Sequence, residues 1–502
     1  MSRNLSGLRR LPSQFYAVLA LAAAGSLIPF GASSAEAAPT TGNSSGMVLQ
    51  TNLVSDLPGV AAVQDPNLVN AWGISESGGS PFWISDNNAG LTTLYGVPGT
   101  NATSVTINPL AVNIPTPVGS TGGTPTGTVF NAAAGAGAFA ITGPGKTGQT
   151  TTAAAAFLFA SEDGTIVGWN PGIDPTGKFA GPGGASAQAV MAVDNSGNNF
   201  TNPDPTQQTG AVYKGLAIAT SSTPIIAADP NSTALLYATN FRAATVDVYD
   251  SHFNLVTALA PGAFSDPDLP MGYAPFNVAV LGGKVYVTYA KQDALKHDDV
   301  SGTNSGFVDV FNLDGTPGLA HAAVRLITRT ALNSPWGLAI APAGFAGVSA
   351  PGGDPVLLVG NFGNGHINAF DAATGSLLGH LKNPGGQPIK IDGLWALQVG
   401  NGGNGGAKNT VYFTAGPFGE SHGLFGALQT AVAGSSAGEA AAQWVQANED
   451  VVQLDRQTLA RDSASGASAA TTRAEHQALN AAIHDLVKAK AGFASDQAAD
   501  GS

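Results

Sequence analysis

The sequence predicts an all-β fold in which one small sheet is copied several times around a ring. A phrase recurs about every sixty residues: an apolar strand, a second strand, a polar turn, and a third strand ending in an aromatic residue and Asp or Asn. Four third-strand copies are Gly164–Asn170, Ala244–Asp250, Gly306–Asn312 and Gly365–Asp371. No such copy buries both faces alone, and radial stacking of these sheets makes a β-propeller. We count six units, which predicts a six-bladed β-propeller.

Six first strands mark the units. We expect them near 71–75, 137–141, 214–219, 276–281, 336–341 and 394–399. Unit three is expected to end in a fourth strand at 255–259, whereas unit six lacks one. The strand-like piece 47–54 precedes the first unit, so it is expected to complete unit six and close the ring. Two inserts rich in Gly, Pro and Thr, 108–136 and 194–213, are expected to be loops on one rim.

The first 37 residues have the pattern of a secretory signal peptide. Arg3, Arg9 and Arg10 give a positive start, residues 15–28 are apolar, and Ala35–Ala37 offers a small-residue cleavage site. A flexible leader is expected at 38–46, and the propeller at 47–429. The sequence therefore predicts export to the periplasm or the extracellular space, and outside the first 37 residues no stretch is long and apolar enough to span a membrane.

Composition narrows the classes of function. The whole chain carries a net charge of −13, and cleavage after Ala37 would remove three Arg and Glu36 and make it more negative by two. Nucleic-acid binding depends on neutralising phosphates, so this acidity argues against it. There is no cysteine, which excludes disulfides, thiolate nucleophiles and iron–sulfur clusters.

Residues 430–502 differ in composition from the repeats. Two Ala-rich stretches, 440–461 and 471–491, place apolar residues at helical spacing and are split by a Ser- and Gly-rich segment. The sequence predicts a helical C-terminal tail, either an assembly element or a weakly ordered extension.

Four phrases carry a family resemblance. They are Asp65–Gly73, Glu162–Trp169, Tyr289–Asp293 and His297–Asp299. Over 47–428 the chain resembles an uncharacterised family of exported bacterial six-bladed propellers, and it is distantly similar to NHL-repeat and gluconolactonase-type propellers. The resemblance implies export and fold, but no activity.

The candidate site lies on the face where second-to-third strand turns and between-blade connections emerge. Each predicted turn there carries polar residues, which favours a ligand site around the channel. The candidate ligand-binding residues are Asp86, Asn87, Glu162, Asp163, Asn240, Arg242, Lys291, Asp293, His297, Asn361 and Asn364. Turn formation is an alternative explanation for the Asn and Asp residues. It explains Glu162, Arg242, Lys291 and His297 less well.

The Asp and Asn residues also favour a metal-binding interpretation, and four aromatic residues favour a structural one. Asp and Asn oxygens, with Asp298 and Asp299 in a Gly- and Ser-rich loop, suit Ca²⁺, although no established metal-binding spacing is present. No other cofactor is indicated. Trp72, Phe276, Trp336 and Trp395 recur at matching first-strand positions, and we expect them to be core wedges between neighbouring sheets.

Three functions remain open. The first is a binding or scaffold module whose polar rim takes a small molecule, a glycan or a protein. The second is a metal-dependent, lactonase-like hydrolase with Glu162 and Asp293 as the acidic groups. The third is an assembly role for the tail. The sequence does not decide whether the protein is an enzyme.

Overall fold

The computed structural model describes residues 46–119, 121–197 and 210–431. These residues form small antiparallel sheets arranged as the six blades of a β-propeller, which confirms the predicted fold class. The predicted signal peptide and helical tail lie outside the described residues. Among the described residues, no helix is long and apolar enough to cross a membrane.

The strands are numbered along the chain. The first two, β1 (Val48–Ser55) and β2 (Val63–Gln64), join the last blade. Blade one contains β3 (Ala71–Ser75), β4 (Phe82–Asp86), β5 (Leu91–Gly96) and β6 (Thr106–Asn113). Blade two contains β7 (Pro125–Phe130), β10 (Phe157–Ser161), β11 (Thr165–Trp169) and β12 (Val190–Asp194), and a separate hairpin is formed by β8 (Ala140–Pro144) and β9 (Thr150–Ala154).

In each of the remaining blades the strand given first is the innermost, and the others follow it outward from the axis. Blade three contains β13 (Tyr213–Thr220), β14 (Ala234–Asn240) and β15 (Thr245–Tyr249). Blade four contains β16 (Tyr273–Leu281), β17 (Lys284–Lys291), β18 (Phe307–Phe311) and β19 (Arg325–Thr328). Blade five contains β20 (Pro335–Ile340), β21 (Val356–Asn361), β22 (Ile367–Asp371) and β23 (Leu377–His380). Blade six contains β24 (Leu394–Val399), β25 (Val411–Ala415), β26 (Leu424–Thr430) and then β1. Short 3-10 turns lie at Ala134–Ala136, Pro182–Gly184, Ala320–Ala322, Phe345–Gly347 and Pro351–Gly353.

The two ends of the repeat region meet in one sheet. β1 pairs antiparallel with β26 in a register that runs from Val48 opposite Thr430 to Ser55 opposite Leu424. The predicted closure of the ring is therefore confirmed. Closure removes two exposed sheet edges that would otherwise have unpaired backbone groups.

Two strand predictions were wrong. The inner strand of blade two is Pro125–Phe130, within the predicted loop 108–136, and the expected strand at 137–141 instead contributes to the β8–β9 hairpin. The expected strand at 255–259 is reduced to one bridge between Leu255 and Tyr249. Gly127 lies so close to the next inner strand that a Cβ would overlap the backbone N of Leu216, as a Cβ at Gly73 would overlap Thr126. Unlike the other inner strands, however, this one has Thr on both sides of its glycine, which hides the apolar pattern of a strand.

The hydrophobic core is divided among the blade interfaces. One cluster joins blades one and two through Trp83 and Phe157, and another joins blades three and four through Tyr237 and Phe311. The remaining interfaces are filled in the same way, and the cluster between blades six and one extends to the axis. Each sheet thus buries both faces against its two neighbours, as its apolar strands require.

Candidate ligand-binding site at the mouth of the channel

Every inner strand has a bulge near its first residue. The register between first and second strands shifts at this point in all six blades. A bulge changes the direction of a side chain. The six residues at the bulges are Trp72, Thr126, Lys214, Phe276, Trp336 and Trp395, here called the ring residues. We use "mouth" for the end of the channel bounded by the second-to-third strand turns.

The four aromatic ring residues contact one another near the axis. The rings of Trp72 and Trp395 stack at 3.6 Å between centroids, and Trp336 meets both edge-on. Phe276 of blade four lies 5.9 Å from Trp395 of blade six, although these blades are not neighbours. The residues are buried, as expected, but they meet across the channel instead of lying only between adjacent sheets.

Lys214 holds the ring position of blade three. Its side chain is 2% exposed, and its ammonium lies 5.0 Å from the centroid of the Trp72 ring. The ammonium forms an ion pair with Glu162 and lies 3.4 Å from the Asp298 carboxylate. Burial alone would lower the pKa of Lys214, but Glu162 and Asp298 together outweigh burial and raise it above its ordinary value. The lysine is therefore charged at neutral pH.

A hydrogen-bonded chain connects this ion pair to blades one and six. Asn87 donates to the Glu162 carboxylate at 3.0 Å. Asn70 donates to the Glu420 carboxylate at 2.9 Å and to Asn87 at 3.4 Å. The indole N–H of Trp395 donates to the Asn70 side-chain oxygen at 2.9 Å. We call the polar residues Asn70, Asn87, Glu162, Lys214, His297, Asp298 and Glu420 the mouth network. Because its members come from blades one to four and six, their positions depend on ring closure.

Blade five supplies an aromatic group. Phe362, in the turn after β21, is partly buried and stacks on Trp395 with 3.9 Å between centroids and 17° between ring planes. Trp395 therefore has Trp72 on one face and Phe362 on the other. With Phe362, all six blades contribute to the mouth.

Glu420 has an unusual backbone and an unusual acidity. Its φ is +69°, in the left-handed region that residues other than glycine seldom adopt. Burial, followed by the negative charge of Glu162, raises the pKa of Glu420 to about 7. Its carboxyl group consequently both donates and accepts protons near neutral pH. Glu420 lies in the turn between β25 and β26, and it was not among the candidate residues.

The acids on the blade-four loop respond differently to burial. Burial would raise the pKa of Asp298, but Lys214 and His297 hold it well below its usual range. Its neighbour Asp299 is buried, and burial raises the pKa of that carboxyl group to about 6. His297 contacts Asp298 through Nδ1 at 2.8 Å.

Two candidate residues besides Glu162 and His297 face the mouth network. Asn87 belongs to it through Glu162. Arg242 is buried and donates to the carbonyl oxygen of Gly210 at 3.0 Å, while its Nε has no partner among the described residues. Burial lowers the pKa of Arg242, partly offset by Asp293 and Asp298.

The other candidate residues lie outside the network. Asp163 accepts from Ser161 and Thr124, and Asp293 accepts from the backbone N–H groups of His297 and Asp298. Side-chain hydrogen bonds are also made by Asn240, Asn361 and Asn364. Asp86 is fully buried, whereas Lys291 is exposed. Most of the other Asp and Asn contacts are those of turn-forming residues, whereas Asp163 and Asn361 also bond to Thr124 and Ala331 of other connections.

Metal-binding geometry exists at one place among the described residues. One ligand atom each from Glu162, His297 and Asp298 lie within 4.8 Å of one another. The Lys214 ammonium already contacts both carboxylates. A divalent cation at this position would have to overcome repulsion from that ammonium.

Sequence reasoning missed Lys214 and Asn70. Lys214 could have been found from the repeats, because it occupies the position at which other first strands have an aromatic residue. The repeat pattern does not require a charged residue there, so a lysine at this position indicates a role outside the pattern. Asn70 offered no such signal, because its role follows from its φ of +51° and from contacts with blade six.

Two curated relatives align with 69% of this chain. Uncharacterized protein R648 of Acanthamoeba polyphaga mimivirus is 32% identical over 351 residues, covering 69% of this chain and 72% of that protein. The chain belongs to the R648 family. A further member, uncharacterized protein L690 of the same virus, is 30% identical over 350 residues, covering 69% of this chain and 77% of that protein. No family model matches the chain.

Solved structures with a propeller-like arrangement are distant from this R648-family chain. The α-L-arabinofuranosidase Arb93A of Fusarium graminearum has a TM-score of 0.39 and 8% identity, covering 77% of this chain and 98% of that one. An auxiliary nutrient binding protein of Bacteroides ovatus has a TM-score of 0.36 and 9% identity, covering 76% of each chain. Likenesses at these levels carry no argument about function.

Proposed function

We propose that this protein is a binding module that takes a small, hydroxyl-rich molecule at the mouth of the channel. The observation that carries the proposal is the convergence of groups from all six blades. Carboxylates and amides of the mouth network accept and donate hydrogen bonds, as hydroxyl groups do. Phe362, which is only partly buried, provides an apolar surface beside them. Such a mixture of aromatic and convergent polar groups is typical of small-molecule sites.

Burial of charge further supports binding over a purely structural role. A buried ion pair contributes little net stability, because desolvation offsets the attraction between its charges. Lys214 is nevertheless fully enclosed, while Asp298 on the same ammonium is 50% exposed. The pair therefore presents an oriented, half-accessible carboxylate to the mouth.

Titration calorimetry with a panel of neutral monosaccharides, disaccharides and polyols tests the proposal. We expect at least one member to bind at one site per chain, and Glu162→Gln and Phe362→Ala each to weaken its binding at least tenfold. Lys291→Met is the matched control, because Lys291 lies on the same face, exposed and outside the network. Absence of binding by every member, or equal binding by the two variants and wild type, would refute the proposal.

A metal-dependent hydrolase is the second candidate, favoured by the Glu162, His297 and Asp298 cluster. A metal ion there would polarise a carbonyl group, and Glu420 has a pKa near neutrality suited to proton transfer. Elemental analysis of dialysed protein tests this function. The hydrolase function would be established by one equivalent of a divalent ion per chain, if Asp298→Asn loses both this ion and the hydrolysis of lactones or esters. Metal-free protein would exclude the hydrolase function, and the binding proposal would then stand as the single candidate.

The place of action is proposed from the N-terminal sequence. The signal pattern in residues 1–37 supports export to the periplasm or outside the cell. Sequencing of the secreted protein is expected to find Ala38 at its start. An intact N-terminus on protein retained in the cytoplasm would contradict export.

A further inference from the structure

A cavity lies at the opposite end of the channel from the mouth. It has a volume of about 390 Å³ and is lined by the inner strands of all six blades. Most of its lining residues are apolar, including Leu216, Val278, Leu338 and Leu397, although polar atoms supply more of the exposed wall than apolar atoms do. The ring residue Trp336 lines it as well, so the aromatic cluster lies between this cavity and the mouth.

Two polar groups along this cavity lack partners. Glu76 lines it, and its Oε2 is buried without a hydrogen-bond partner among the described residues. The other oxygen, Oε1, accepts from Gln398 at 3.2 Å. The indole N–H of Trp336 is likewise unpaired, although this residue is only 4% exposed. Buried polar groups are normally satisfied, and unsatisfied ones call for an explanation.

The two groups lie at different depths. Trp336 is at the level of Trp72, whereas Glu76 is four residues further along the inner strand of blade one. At about 3.3 Å per residue, that separation along the channel is about 13 Å. A ligand that used both groups would be elongated, with an acceptor near Trp336 and a cation near Glu76.

We propose that this cavity binds a small amphipathic amine, with its ammonium on Glu76, its apolar body against the strand walls and a hydroxyl oxygen accepting from Trp336. The Glu76 carboxyl group is the only acidic or basic side chain that the cavity walls provide among the described residues. An ammonium pairs with it directly, whereas an anion would find no cation there. The site is separate from the mouth, so neither proposal depends on the other.

The acidity of Glu76 gives the binding a measurable signature. Burial, partly offset by Gln398, raises its pKa to about 8, so the group is mainly a neutral acid at pH 7. Tyr412 of β25 is the titratable group nearby that the Glu76 charge affects, and burial is the main reason its own pKa is about 12. Pairing with an ammonium makes Glu76 ionise, and its proton passes to the solvent. Binding at pH 7 should therefore release nearly one proton.

Calorimetry with tyramine tests the proposal, and tyrosol, which replaces the ammonium with a hydroxyl group, is the matched neutral probe. We expect one tyramine per chain, proton release seen as a heat that varies with buffer ionisation, and at least tenfold weaker binding of tyrosol. Glu76→Gln should lose the proton release and bind tyramine at least tenfold more weakly. Ile218→Trp, which fills the cavity from β13, should lose both probes.

Several outcomes would overturn the inference. They are no binding of tyramine up to millimolar concentration, equal binding of tyramine and tyrosol, or unchanged affinity in either folded variant. Melting temperatures of both variants verify folding before the titrations. Displacement of tyramine by a mouth ligand would also contradict the separation of the two sites.

Discussion

Replacing Lys214 with Met removes the ammonium and retains most of the apolar stem. The Lys214 side chain is 2% exposed and that of Glu162 is 11% exposed, so the variant leaves a largely buried carboxylate without its cation. Removing one partner of a buried ion pair typically costs about 3–5 kcal/mol of unfolding free energy. The contact with Asp298 adds little, because that carboxylate is 50% exposed and screened by water.

The loss should depend on pH, because the missing ammonium favoured ionised carboxylates. Without it, the folded-state pKa of Glu420, about 7 in the wild type, rises further, because the Lys214 charge lowers it. A folded-state pKa above the unfolded value stabilises the fold at low pH, and that contribution is lost as pH rises through the folded value. The wild-type Asp298 has the opposite behaviour, since its depressed pKa stabilises the fold above its unfolded value. The rise at Glu420 makes Lys214→Met comparatively less stable at pH 8 than at pH 5, whereas the Asp298 contribution is already complete at pH 5 and adds no difference over this range.

Urea denaturation of wild type, Lys214→Met and the double variant Lys214→Met/Glu162→Gln measures these free energies. We expect the double variant to recover at least half of the loss, because it also removes the stranded carboxylate. Lys291→Met should stay within about 0.5 kcal/mol of wild type, as is usual for exposed positions. A loss below about 1 kcal/mol that does not change with pH would refute the buried-pair reasoning.

Three further predictions concern acidity, packing and the tail. Between pH 5 and pH 8, wild type should lose about 1–3 kcal/mol more unfolding free energy than Glu420→Gln, as measured by urea titrations. The raised pKa of Glu420 stabilises the fold at low pH, and this stabilisation is lost as the pH rises to its folded-state pKa of about 7. Parallel curves of stability against pH for the two proteins would contradict the prediction. Gly127→Ala should lower the melting temperature by many degrees, because the added Cβ would overlap the backbone of β13. Gly78→Ala is the control and should leave the melting temperature unchanged, because open space surrounds Gly78. Equal effects of the two substitutions would show that the inner strands are not in close contact. Truncation after residue 430 should lower the oligomeric mass in light scattering if the predicted tail helices mediate assembly, and an unchanged mass would count against that role.

The fold was predictable because its signal is repeated. Apolar strands and glycine-led third strands recur, and the orphan strand at 47–54 had one vacant place to occupy. Blade two was misplaced because Pro125–Phe130 lacks the apolar pattern of a strand. Its Gly127 matches the inner-strand glycines Gly73 and Gly337, but it is flanked by Thr126 and Thr128, where those strands have apolar residues.

The site was predictable to the level of a face, but not of a residue set. Turns such as those containing Glu162 and His297 lie on one face because second strands end there. Which side chains meet depends on the bulges, which bring Lys214 to the axis, and on the left-handed backbone at Asn70 and Glu420. These are three-dimensional consequences of the closed ring.

Closure of the ring can be measured with an engineered disulfide, since the chain contains no cysteine. Leu49 lies opposite Gln429 in the β1–β26 pair, so Leu49→Cys with Gln429→Cys should form an intramolecular disulfide on mild oxidation. Gln50→Cys with Gln429→Cys is the control, because its side chains point to opposite faces of the sheet. Mass spectrometry of the non-reduced peptides should show the crosslink only in the first variant. A crosslink in both variants, or in neither, would contradict the closed six-bladed ring that brings the mouth residues together.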